Sequence, residues 1–121
     1  MVDDNPTTRA ALKLFIEAHA EFLLIGEAAS GEEAIAFCEQ TEPDVIVLDI
    51  RLPGKDGIET AAVIKQRHPR VQIVALSSFA ERDVVARAYE AGIHEYVQKS
   101  SPGILLTDAI RSAYRAREAQ S

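Results

Sequence analysis

Alternating apolar strands and amphipathic helices predict an α/β fold, with a parallel sheet sandwiched between two layers of helices. Two observations carry that prediction. Val45, Ile46, Val47, Leu48 and Ile73, Val74, Ala75, Leu76 are short unbroken apolar runs, the pattern of strands buried on both faces. The stretches between them repeat apolar residues at helical spacing and carry helix start and stop signals. In chain order, Asn5 as N-cap and Pro6 at the first helical position start a helix over residues 6–19, with Ala10, Ala11, Leu14, Phe15 and Ala18 as its apolar set. Residues 22–25 read as a strand. Ser30 and Glu33 form a capping box for a helix over residues 32–41. After the strand at 45–48, Pro53, Gly54 and Gly57 break the chain. A helix then starts at Asp56 or Gly57, carries Ile58, Ala61, Ala62 and Ile64, and is stopped near His68 by Pro69. The strand at 73–76 is followed by a helix over residues 81–91, which Gly92 ends as a left-handed cap. A last short strand, residues 96–99, leads to a helix over residues 102–120 opened by Ser101 and Pro102.

Three of these strands deliver a reactive or polar residue at the same end: Asp49, Ser77 and Lys99. In open parallel α/β sheets the carboxyl edge is where sites form. For Asp49 a turn cap or a bond to a nearby amide is the plainer alternative, and Ser77 and Ser78 equally suit the end of a strand. Asp3 and Asp4 add an adjacent acidic pair at the mouth of the first helix. Adjacent acids at a helix entrance are commonly dipole-compensating surface charge; three carboxylates converging at one sheet edge, however, repel one another, which a bound cation or a protonation offsets, and an all-oxygen set suits Mg²⁺.

At 121 residues the chain makes one domain. Its net charge of −6 argues against direct nucleic-acid binding by this segment, because phosphate contacts need clustered Lys and Arg. Cys38 is the single cysteine, read as a small core hydrophobe of a reducing cytosol without disulfide or metal-ligand spacing. No signal peptide and no membrane-spanning apolar stretch is evident, so a cytoplasmic location is expected. His19, His68 and His94 lie far apart and read as solvated or capping.

Asp3 and Asp4, the stretch D-I-R-L-P-G-K-D-G from Asp49 to Gly57, Ser77 after a strand, and Tyr96 with Lys99 resemble the receiver domain of two-component response regulators over nearly the whole chain. The resemblance implies a flavodoxin-like, doubly wound parallel sheet in the order 2-1-3-4-5. It implies Asp49 as phosphoacceptor, with Asp4 a direct Mg²⁺ ligand, Asp3 a ligand through water and the Arg51 carbonyl a further donor. Ser77 would bond the phosphoryl group, Lys99 would pair with it, and Tyr96 would be the aromatic that follows activation. The domain would then be a switch catalysing its own phosphorylation and dephosphorylation, not an enzyme with a separate substrate. Its partners would be a sensor histidine kinase and, on activation, a second copy of itself. The segment G-E-A-A-S-G-E-E-A-I and the Lys99, Ser100 ending resemble the subfamily joined to helix-turn-helix DNA-binding output domains, implying transcriptional control and an output domain beyond residue 121.

Only Met1 and Val2 precede Asp3, so the central first strand of such a fold is expected to be truncated, absent or supplied by another chain. Two other classes compete. A haloacid-dehalogenase-like phosphatase needs a second acid two residues after its nucleophile, where this chain has Arg51. A phosphorylation-independent interaction module of receiver fold is the alternative, against which the full set Asp3, Asp4, Asp49, Ser77 and Lys99 speaks.

Overall fold

The computed structural model describes residues 1–52, 56–78 and 81–120. Pro53 and Gly54, read above as chain breakers, lie outside them. The elements are α1 (Pro6–Glu17), α2 (Gly31–Gln40), β1 (Val45–Asp49), α3 (Gly57–Arg67), β2 (Gln72–Ser77), α4 (Arg82–Glu90), β3 (Glu95–Gln98) and α5 (Gly103–Ala119). The three strands form a parallel sheet in the order β1-β2-β3.

Alternation along the strands splits the core into two layers. Ile46, Leu48, Ile73 and Ala75 pack with Ala34 and Cys38 of α2, Ala61 and Ile64 of α3, and Ala88 of α4. Val47, Val74, Leu76 and Val97 face Ile16 of α1 and Leu106, Ala109, Ile110 and Ala113 of α5. Both faces of β1 and β2 are therefore covered, which explains why these strands read as unbroken apolar runs.

The caps match their sequence signals. The Asn5 side chain accepts the amides of Thr7 and Thr8 at 2.9 and 3.1 Å, the Ser30 hydroxyl accepts the Glu33 amide, and Asp56 accepts the Glu59 amide at 2.8 Å. Gly92 has φ +102°, the left-handed geometry its place after α4 requires.

One expectation is corrected. Residues 22–25 do not form a strand: the chain there is extended without ladder pairing, and Leu23 is 85% exposed. Pairing is displaced to Gly26 and Ala28 because the segment aligns on Met1 to Asp3. Ala28 donates to the Met1 carbonyl and accepts from Asp3, while the Met1 amine reaches the Gly26 carbonyl. Among the described residues the sheet centre has one bridged residue, Val2, in the place of a first strand. Val2 makes parallel bridges to Ala28 on one side and Leu48 on the other, with Val2 N–H to Val47 at 2.8 Å and Asp49 N–H to Val2 at 2.9 Å. Of the order 2-1-3-4-5, the last three places are strands and the first two are single bridges. Two ladder bonds on β1 suffice to carry Asp3 and Asp4 to the same edge as Asp49.

Candidate functional site

The site lies at the carboxyl ends of the parallel strands, where successive elements stop in register. Asp49 is the last residue of β1 and Ser77 the last of β2. Lys99 follows β3 directly, its amide donating to the Ser77 carbonyl at 2.7 Å. Asp3 follows the Val2 bridge and is 1% exposed, whereas Asp4 is exposed. These five residues, far apart in the chain, are brought to one edge as the sequence predicts.

The Lys99 ammonium donates to Asp49 Oδ2 at 3.1 Å and to Asp3 Oδ2 at 3.2 Å. The other Asp49 oxygen accepts the Arg51 amide at 3.0 Å. The other Asp3 oxygen accepts the Asn5 amide at 2.9 Å. Asp49 is thus nearly buried with one backbone donor and one cation as partners. Burial pushes its carboxyl above the usual range; the Arg51 amide and Lys99 pull it down, and neighbouring Asp3 adds to the rise. For Lys99 burial works against the charge, but the hydrogen bond and charge of Asp49, joined by those of Asp3, outweigh it and raise its pKa.

Asp3, Asp4 and Asp49 each offer a carboxylate oxygen within 4.8 Å of the other two. Three hard anionic oxygens at that spacing, one on an exposed side chain, fit a small divalent cation that keeps part of its water, as Mg²⁺ does. Asp49 also makes the turn bond to the Arg51 amide that the plainer reading foresaw, so the cap and the cluster coexist.

Gly57 sets how closely α3 approaches this edge. A Cβ there would sit 2.5 Å from the Asp49 carbonyl oxygen and 2.6 Å from Ile50 Cα, so only glycine allows the Gly57 amide its 2.9 Å bond to the Ile50 carbonyl. Tyr96 does not join the cluster. It pairs with Ala75 in the sheet, half-buried against the α2/α3/α4 layer, and its amide donates to the Tyr89 hydroxyl at 3.1 Å. Sequence reasoning passed over Arg9, whose Nη1 donates to the Asp3 carbonyl at 2.8 Å. A basic residue one helical turn past the N-cap was its only signal.

Among known proteins, the response regulator receiver domain family matches residues 1–111. Response regulator protein VraR of Staphylococcus aureus is 33% identical over 114 residues, covering 94% of this chain and 54% of VraR. The chain thus spans about half the length of the curated relatives it matches. A LuxR-family two-component response regulator from Aurantimonas sp. superposes with TM-score 0.91 at 34% identity, covering 96% of this chain and 83% of the other. A LuxR-family DNA-binding response regulator from Staphylococcus aureus gives TM-score 0.86 at 25% identity, covering 93% and 94%.

Proposed function

Because the chain belongs to the response regulator receiver domain family, we propose that Asp49 accepts a phosphoryl group from a sensor histidine kinase and so switches the surface of the domain. A receiver is a signalling switch and not a conventional enzyme. One observation carries the reading: a lysine ammonium lies between two buried carboxylates at the strand ends, with a third, exposed carboxylate beside them. Three acids sharing one lysine leave a net negative charge that a cation would offset.

In the proposed reaction an Asp49 oxygen attacks phosphorus as the bond from phosphorus to the donor histidine nitrogen breaks. Lys99 follows the transferring group, exchanging a carboxylate partner for a phosphoryl oxygen, which suits a compact point charge. Ser77 offers a hydroxyl to a second phosphoryl oxygen. Asp4 and Asp49, with the Arg51 carbonyl and with Asp3 through water, would hold Mg²⁺, which when bound neutralises charge on the phosphoryl oxygens. The reverse step, with water attacking the aspartyl phosphate, makes the domain catalyse its own dephosphorylation.

The new group adds roughly −1.5 to −2 charges. Ser77 and Lys99 are joined backbone to backbone and lead into the segments before α4 and α5. The face of α4, β3 and α5 is therefore the proposed output surface, with Tyr96 as its reporter and homodimerisation as its first consequence. One LuxR-family relative described as DNA-binding supports a DNA-binding output domain following the receiver unit of residues 1–121, and hence control of transcription. Among the described residues no helix is long and apolar enough to cross a membrane, and a cytoplasmic site of action is proposed.

Calorimetric titration with Mg²⁺ tests the ligand set. Asp4→Ala is expected to weaken binding about tenfold or more, and Asp3→Ala by less, because the first removes a direct ligand. Equal affinity in both variants and the unaltered chain would place the cation elsewhere.

A further inference from the structure

We infer that Arg9 is a positioning residue for the acidic site, acting through the peptide bond between Asp3 and Asp4; the inference rests on the Mg²⁺ reading above. Every polar group of Asp3 is committed. Its amide donates to Ala28 at 3.0 Å, its carbonyl accepts Arg9 at 2.8 Å, and its two carboxylate oxygens accept the Asn5 amide and the Lys99 ammonium. The carbonyl is the informative one. A peptide group is planar, so a hydrogen bond that fixes the direction of the Asp3 carbonyl also fixes the plane from which the Asp4 chain continues. Asp4 is exposed, so its place depends chiefly on the backbone that carries it. Arg9 thereby orients the exposed acid without touching its carboxylate.

Arg9 is itself held. It lies on the second turn of α1, three-quarters buried, and its Nε faces Glu27 at 3.6 Å. Lys13, one turn further, reaches the same carboxylate at 3.8 Å. Glu27 immediately precedes Ala28, whose carbonyl holds the Asp3 amide. The guanidinium therefore closes a ring of contacts running from α1 through the acidic pair to the neighbouring extended segment and back. Its positive charge alone would disfavour a cation at the cluster, so charge and positioning predict opposite effects of removing it.

The test is Mg²⁺ titration of Arg9→Met, Arg9→Gln and Arg9→Lys, judged on whichever neutral variants unfold cooperatively in urea. Losing the hydrogen bond is expected to weaken Mg²⁺ binding about tenfold, the lower end of what removing an outer support costs a metal site. Lysine, keeping the charge and one donor, should recover part of it. Amide exchange at Asp4 and Asn5 should quicken in the neutral variants, a change that general loss of stability would spread over all elements. The phosphorylation rate with acetyl phosphate, extrapolated to saturating Mg²⁺, should stay within about twofold of the unaltered chain, since the chemistry itself is untouched. Folded neutral variants that bind Mg²⁺ as well as or better than the unaltered chain would overturn the role of Arg9 alone. An unaltered chain that binds no Mg²⁺ would overturn the reading of the site as well.

Discussion

Lys99 keeps two buried carboxylates in a state the fold can tolerate. Without it, Asp3 and Asp49 would face each other with the Asn5 and Arg51 backbone amides to bond them and no cation between them, and unpaired buried charge is strongly destabilising. Lys99 keeps about a quarter of its side chain in solvent, so the full cost of a deeply buried pair does not apply. Lys99→Met is expected to lose about 1 to 3 kcal/mol in urea denaturation without Mg²⁺, and less with Mg²⁺ present; an unchanged midpoint in both conditions would contradict the geometry. Asp49 and Lys99 were legible in the sequence because a charged residue closing an apolar strand is a conspicuous break in pattern. Arg9 was not, because a basic residue one turn into a helix is ordinarily solvated, and its bond to a backbone carbonyl adds no further mark in residue type.

At the scale of elements, the site depends on where helices begin. The start of α3 lies against the end of β1 with no room for a side chain at Gly57. Gly57→Ala must therefore push back the Asp49 carbonyl or Ile50, at a cost of about 1 to 3 kcal/mol, even though alanine favours helices over glycine. Thermal or urea unfolding checks this, and a variant as stable as the parent would show that α3 has slack. Helix limits were readable to within two residues at most ends because Asn5, Ser30, Asp56 and Gly92 are true cap residues. The strand expected at residues 22–25 failed for a different reason. Apolar composition marks a segment able to pair, but pairing needs a neighbour in register, and Met1 to Asp3 select Gly26 and Ala28.

For the molecule as a whole, the two core layers make the sheet the rigid part, and Cys38 is a probe of its opening. The thiol is buried in the α2/α3/α4 layer, and burial, with Glu39 and Glu42 nearby, raises its pKa from 9.0 to about 11. A folded value above the unfolded one means that its contribution to stability is complete below pH 9 and is lost as pH rises through about 11. Thiol labelling at pH 8 should accordingly be slow, quickening in parallel with global unfolding by urea; rapid labelling of the native protein would contradict the burial. Layer order and the site edge were legible from alternation alone. The bridging role of Val2 was not, since a single residue carries no periodicity. The central claim is that Asp49 is the phosphoacceptor, and intact-mass measurement after incubation with acetyl phosphate and Mg²⁺ tests it most directly. The account predicts one added phosphoryl group on the unaltered chain and none on Asp49→Asn; an equally phosphorylated Asp49→Asn chain, or an unmodified parent that nonetheless binds Mg²⁺, would contradict it.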